Sequence, residues 1–465
     1  MDAALDEENE AAAPARRFQI ARLTWREELA HFRGVLRNYA DASLVLHRRL
    51  GEVIHVRFPD PAVSLVHPRH NRRVLRSHVL NYPKSPEYEV LRPLLGDGIF
   101  VSDGEVWTRQ RRILAPEFRA AVAPRFIPVI AADVEALFRE RWEPSVGGPP
   151  RDLSDDLMRL TLWVVGDAIF AQDFRGSADA VGHALEVVLT HATRLMLSGG
   201  LYKAWMPTPG NRRARRAERE LDAIVERLIV DARAALDPSG QDVLTRLLKA
   251  KDADGRPAMS DRQLRDEIKS LVLAGHETTS LALAWSLYLL GDHPEVHRRL
   301  VEEVDAVLGG RTPTADDVPR LVYTRMVFLE AMRLYPPVPL VPRILREADE
   351  FDGIRLEAGT KITLLPYVTH RLAEFWPRPD EFDPERFAPG RIDAIEPYSY
   401  LPFLLGRRAC LGEHFAMLEG IVALAMIVDR YTLTRADRAP IATRPISTLR
   451  MARPLRMRVE RRRRG

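Results

Sequence analysis

The chain predicts a mainly α-helical fold with a small β-rich lobe near the N-terminal half. Three observations carry this. Apolar residues recur every three to four positions over long stretches, notably 132–142, 216–234, 268–290 and 294–308. Strand signals are short and gather near the ends. Residues 53–58 and 62–66 flank Pro59-Asp60-Pro61, a hairpin signature, and a further strand is expected over 361–365. Finally, no repeat and no low-complexity linker divides the 465 residues, so 17–465 reads as one domain rather than the roughly three that length alone suggests.

The first element, residues 1–16, is acidic and alanine-rich without an apolar run, so it predicts a disordered tail rather than a signal peptide. A cytoplasmic location follows. The apolar helical stretch 281–290 is about half a bilayer span and contains Ser286, so no membrane anchor is expected. Charge is nearly balanced at 69 basic and 65 acidic residues, and Arg461 to Arg464 account for the formal excess of +4. Nothing in that balance points to nucleic acid.

Residues 251–257 punctuate the middle as a loop, and Ser260 with Gln263 predicts a capping box for the helix that follows. That helix carries Ala274-Gly275-His276-Glu277-Thr278-Thr279. A glycine costs about 1 kcal/mol in a helix interior, and a carboxylate beside two threonines interrupts an apolar face. Thr278 can bond the carbonyl of Ala274 one turn back, bending the helix, and beside Gly275 this can open a groove.

Further on, Glu330 and Arg333 lie three residues apart on one helical face, among Val327, Phe328 and Leu334, before Pro336 ends the helix. The last informative element holds the single cysteine, Cys410, in Phe403-x-x-Gly406-x-Arg408-x-Cys410-x-Gly412. One thiol closes no intrachain disulfide, so it is an inert buried side chain, a nucleophile or a single metal ligand. The glycines permit tight turns, and the apolar spacing from Phe415 through Leu418 predicts a helix starting just after the sulfur, whose free amides would stabilise a thiolate.

The cysteine segment resembles the haem-binding loop of the cytochrome P-450 monooxygenases, and three further motifs occur in that family's order. The resemblance implies the cytochrome P-450 fold, with haem b buried between the long central helix and the cysteine-loop helix, and Cys410 as axial ligand of the haem iron. Phe403, Gly412 and Ala274 would border the cofactor. Trp107, Arg111, Arg343 and Arg408 match positions that contact the propionates. Thr278 would orient water on the distal side and Glu277 would relay protons from solvent. Arg386, in Pro384-Glu385-Arg386-Phe387, would complete a structural triad with Glu330 and Arg333. Tyr88, Leu91, Ile99, Phe100, Val338, Leu340 and Val341 are the substrate-pocket candidates.

The resemblance further implies a monomeric, soluble bacterial-type enzyme that inserts one atom of O2 into an apolar substrate related to fatty acids, terpenoids or carotenoids. The chain contains no dinucleotide fingerprint, flavin domain or iron–sulfur cysteine cluster, so electrons from NAD(P)H would arrive through a reductase and an acidic ferredoxin or flavodoxin. Arg109, Arg112 and Arg407 would supply the basic docking surface. Glu277 with Thr278 argues against a haem-thiolate isomerase or peroxygenase, and turnover would separate the enzyme from a haem-based sensor.

Overall fold

The computed structural model describes residues 17–58, 60–198, 202–234, 242–251, 255 and 257–463. The tail expected over 1–16, and Pro59 in the hairpin turn, lie outside them. Among the described residues ten helices of eleven or more residues build the body: α1 (Trp25–Leu50), α2 (Gly104–Leu114), α3 (Ile127–Leu137), α4 (Leu153–Val165), α5 (Ala178–Leu197), α6 (Pro209–Ala234), α7 (Asp261–Asp292), α8 (Pro294–Val307), α9 (Val322–Leu334) and α10 (Glu413–Arg430). The strands are β1 (Ala21–Arg22), β2 (Val53–Val56), β3 (Ala62–Leu65), β4 (Arg151–Asp152), β5 (Val341–Ile344), β6 (Asp349–Phe351), β7 (Ile354–Leu356), β8 (Lys361–Leu364), β9 (Tyr431–Arg435), β10 (Thr443–Pro445), β11 (Leu449–Met451) and β12 (Arg456–Arg461).

The largest sheet has the order β1-β2-β3-β8-β5. The expected hairpin forms with Val53 opposite Leu65 and Val56 opposite Ala62, and β3 then pairs in parallel with β8. Two of the five strands therefore come from beyond residue 340, so the lobe draws on both halves of the chain. Val53, Val63, Leu65, Val341, Ile362 and Leu364 meet Phe18 and Tyr82 in its core.

Helix α1 begins with a full capping box between Thr24 and Glu27. It is extended at Asn38 (φ −161°, ψ 98°), where Oδ1 accepts the amides of Ala40 and Asp41 and restarts the helix. Asn38 also donates to Thr443, tying α1 to the β10–β11 hairpin.

Helix α7 is buried on nearly all sides from Leu264 onward, as expected of a helix crossing a large core. Its capping box is only half formed. Ser260 accepts the Gln263 amide at 3.2 Å, but the Gln263 side chain accepts from Arg109 instead. The helix also runs unbroken through 274–279. A Cβ on Gly275 would sit 2.7 Å from Val165 Cγ2, and Thr161 of α4 donates to the His276 carbonyl at 2.7 Å. Glycine here serves close packing of α4 on α7, with no groove opened by a break.

Candidate active site

Behind α9, Glu330 and Arg333 are fully buried. Arg333 donates to both Glu330 oxygens (2.7 and 2.8 Å) and to the carbonyls of His370 (2.8 Å), Pro379 (2.7 Å) and Glu381 (2.9 Å). Arg386 reaches Glu330 at 3.3 Å and the carbonyls of Pro377 and Arg378. The three residues thus clamp the irregular segment 370–387. His370 extends the clamp, because its Nε2 accepts the Leu401 amide at 2.7 Å just before the cysteine loop.

The loop itself is closed by the Cys410 amide donating to the Phe403 carbonyl at 2.7 Å. Gly406 is left-handed (φ 68°), and a Cβ there would collide with the Leu75 carbonyl. Leu404 is also left-handed (φ 56°), a conformation that crowds any Cβ against the following carbonyl. Gly412 leads into α10, and apart from its chain neighbours nothing among the described residues lies within 4 Å of where its Cβ would be. Cys410 is accessible, yet deep enough that burial pushes its thiol up to about 11, against the Gly412 amide and Arg111. Such a thiol is protonated at neutral pH unless a metal displaces the proton.

Positive charge converges on this loop. Asp103 accepts the Gly104 amide at the start of α2 and pairs with Arg408 at 2.9 Å. Arg111 donates to the Ala409 carbonyl at 2.9 Å, and the guanidinium groups of Arg111 and Arg408 lie 5.5 and 5.4 Å from the centre of the buried Trp107 ring. Arg343 on β5 is 2% exposed, and its Nε has no partner among the described residues. Lys84, which the sequence did not single out, pairs with Arg343 through the backbone in an isolated antiparallel bridge, and its ammonium donates to the carbonyls of Ile99, Phe100 and Ser102 at 2.8–2.9 Å. Burial, with Arg408 and Arg343 adding to it, pushes its ammonium down to about 7. The guanidinium groups of Arg111, Arg343 and Arg408, one of them with an orphaned nitrogen, and an exposed thiol fit a group that carries iron and two carboxylates, as haem does. All three expected surface arginines, Arg109, Arg112 and Arg407, are exposed, with Arg109 also donating to Gln263 at the start of α7 and Arg407 to Thr108 of α2.

On α7, Thr278 Oγ1 donates to the Ala274 carbonyl at 2.7 Å, as its spacing predicted. Glu277 sits differently from a solvated acid. It is 2% exposed, and its Oε1 accepts from Thr448 Oγ1 at 2.7 Å and from the Arg450 guanidinium. Arg450 also lies 3.5 Å from Glu186, which is half exposed on α5. His276, next in sequence, is buried, which pushes its imidazole down to about 4 and keeps it neutral.

Ala274, Glu277 and Thr278 line a mostly apolar cavity of about 310 Å³. Tyr88, Leu91, Phe100, Val338 and Leu340 line it as the pocket candidates. Ile99 and Val341 do not. The Ile99 amide is taken by Glu267, and Val341 points into the lobe core, on the opposite face of β5 from Pro342. The sequence did not reveal the wall from α1, where Val35, Tyr39 and Leu46 face the cavity, or that from Leu189 and Met196 of α5. Neither helix is among the amphipathic stretches that the sequence singles out, and apolar spacing does not separate a core from a cavity wall.

The comparisons agree with this geometry. The family model described as Cytochrome P450 matches residues 34–458. The chain is 37% identical to cyclooctatin synthase of Streptomyces melanosporofaciens over 90% of this chain and 89% of that protein. It is 34% identical to the same organism's cyclooctat-9-en-7-ol 5-monooxygenase, over 84% of each. It is 30% identical to pentalenene oxygenase of Streptomyces avermitilis, over 90% of this chain and 91% of that protein. With a cysteine loop ringed by cations on one side and an acid–threonine pair over an apolar cavity on the other, this chain belongs to the cytochrome P450 family of haem-dependent monooxygenases.

Proposed function

We propose that the chain oxidises an isoprenoid skeleton, hydrocarbon or alcohol, at a carbon presented to Thr278. The observation that carries this reading is the cavity, whose inner wall of Leu91, Phe100, Leu189, Leu273, Val338 and Leu340 offers an apolar body shape and little hydrogen bonding. The relatives named for cyclooctatin and pentalenene support the same class.

Cys410 would bind the iron, with Arg111, Arg343, Arg408 and Trp107 holding the carboxylates, while Lys84, its three hydrogens taken by the carbonyls of Ile99, Phe100 and Ser102, would shape the loop beside them. Haem supplies the activation of O2, one atom of which goes to substrate. The protein's own part is to exclude water and to manage protons. Thr278 Oγ1 spends its hydrogen on Ala274, which leaves its lone pairs to accept a proton donor on the cavity side. Glu277 is held through Oε1, so Oε2 is the oxygen through which it exchanges a proton. Electrons would come from NAD(P)H through a reductase and an acidic ferredoxin or flavodoxin, which meets Arg112 and Arg407 on a monomeric enzyme.

The test is a ligand screen on the purified holoprotein, reading the shift of the Soret band, followed by product analysis with a reconstituted electron supply. Cyclic diterpenes, sesquiterpenes and their alcohols should shift the band and be hydroxylated. Shifts from fatty acids alone would overturn the assignment.

A further inference from the structure

The cavity is not apolar throughout. Tyr39, Ser43 and His47 of α1 all line it at intervals of four residues, so they form one stripe along the helix. That stripe meets the β-rich lobe at His47, whose Nε2 lies 2.8 Å from Ser64 Oγ on β3. Ser64 pairs in register with Thr363 of β8, and both side chains stand on the face of the sheet turned away from the lobe core of Val63, Leu65, Ile362 and Leu364. Ser43, Ser64 and Thr363 therefore bring hydroxyls from three elements to one part of the cavity wall.

One of these hydroxyls has its hydrogen already committed. His47 Nδ1 lies 2.7 Å from the Gly51 carbonyl, which can only accept, so Nδ1 carries the ring hydrogen. Burial pushes the imidazole down to about 4 and keeps it neutral, which makes Nε2 an acceptor. Ser64 gives its hydrogen to Nε2, nearer than the Ile54 carbonyl at 3.3 Å, and offers the cavity lone pairs only. The hydroxyls of Ser43 and Thr363 have no hydrogen-bond partner among the described residues, so each keeps a hydrogen to give. Charge selects further. Among the described residues no lysine or arginine lines the cavity, burial lowers His31 as well as His47, and the lining acids Asp60 and Glu87 both pair with Lys361. A carboxylate would meet two acids whose one cation is already shared.

On the strength of the isoprenoid reading, we propose that the substrate is an alcohol whose hydroxyl sits among Ser43, Ser64 and Thr363, donating to Ser64 Oγ and accepting from the other two, so that oxygen is inserted at a different carbon. An alcohol has one hydrogen to give and lone pairs to receive, the complement of this set, whereas a ketone has no hydrogen to give and a hydrocarbon neither. A competitor without the hydroxyl leaves the wall's polar groups unpaired. The skeleton thus receives its first oxygen before this chain acts, by hydroxylation or by capture of water during cyclisation. This chain then converts a C–H to C–OH with one atom of O2, the other leaving as water on two electrons from the reductase and two protons, and the product is a diol.

The experiment is Soret titration of the holoprotein with three sesquiterpenes of one skeleton: the hydrocarbon valencene, the alcohol nootkatol and the ketone nootkatone. Ser64→Ala should weaken nootkatol about fivefold, as the loss of one hydrogen bond does, and leave valencene and nootkatone as they were. Ser43→Ala with Thr363→Val, which spares the His47–Ser64 contact, should weaken nootkatol and nootkatone alike and again leave valencene. A wall merely loosened by Ser64→Ala would weaken all three ligands together, and that result would overturn the proposal. So would a loss of nootkatol affinity caused by Ser447→Ala instead, since Ser447 lines the cavity from the β10–β11 tip with its Oγ unpartnered. If valencene and nootkatol respond alike in every variant, the hydroxyl site falls and the isoprenoid reading stands. If none of the three shifts the band and fatty acids do, both fall.

Discussion

Replacing Arg333 by alanine removes five hydrogen bonds at once, two to Glu330 and three to the carbonyls of His370, Pro379 and Glu381. Breaking a fully buried ion pair from one side costs roughly 3–5 kcal/mol. Each carbonyl left dry adds about 1–3 kcal/mol, less where water fills the space vacated by the guanidinium. Arg386 and the Asp383 amide stay on Glu330 and limit the loss. The total, about 6 kcal/mol or more, compares with the roughly 5–15 kcal/mol that holds a typical domain together. The variant should therefore yield little holoprotein, and what survives should melt well below the wild type. Expression at low temperature, haem content of the purified protein and urea unfolding followed by circular dichroism would measure this. Arg333→Lys, which keeps the charge but not the two-pronged fit, should fall between. An alanine variant with wild-type haem content and midpoint would mean that the clamp on 370–387 does not depend on Arg333, and the reasoning would fail.

Other consequences can be checked separately. Thr278→Ala should still bind haem and substrate but divert electrons to hydrogen peroxide, seen as a lower ratio of product to nicotinamide consumed, while Glu277→Gln should slow turnover. Glu267→Gln should stabilise the protein in a pH-dependent way. Burial, reinforced by Asp266, raises the Glu267 carboxyl to about 8 against the Ile99 amide and Lys84. The folded state therefore holds a proton that the unfolded state loses between about 4.5 and 8, so native stability falls as pH rises through that window. The variant's advantage should be nil near pH 4 and reach its plateau of a few kcal/mol above about 8, as thermal melts across pH would show. At Leu404, relief of about 1–2 kcal/mol of left-handed strain offsets the lost side chain. Leu404→Gly should then be nearly neutral in melting temperature, and Leu404→Ile clearly destabilising. Arg112→Glu with Arg407→Glu should slow reduction by an acidic ferredoxin without changing substrate-induced spectra, and a reduction rate indifferent to salt would place docking elsewhere.

What the sequence disclosed was local chemistry. The bond from Thr278 to Ala274 spans one helical turn, and the Glu330–Arg333 contact spans three residues, so spacing alone reveals both. The partner of Glu277 lies 173 positions away, beyond the reach of any periodicity, which is why an acid expected to meet solvent is found buried against Arg450. Lys84 escaped notice because a lysine in a short loop looks solvated until the carbonyls that surround it are known. The lobe illustrates the same limit. The hairpin 53–65 is legible from its turn, whereas the pairing of β3 with β8 joins residues about 300 apart, and which face of β5 turns inward decides that Val341 is core and Pro342 cavity.

The β10–β11 hairpin has two neighbours to satisfy. Its tip, Ile446 to Thr448, is cavity wall, while Thr448 and Arg450 grip the carboxylate of Glu277. A substitution that reshapes the tip for a new substrate also disturbs the grip on that acid, so substrate range and efficient use of electrons are bound to change together there. Val35 on α1, and Leu91 and Phe100 ahead of α2, line the same cavity with no hydrogen bond to Glu277. Divergence toward new substrates has its freest path along those walls, and a laboratory library confined to them should alter selectivity while leaving coupling intact.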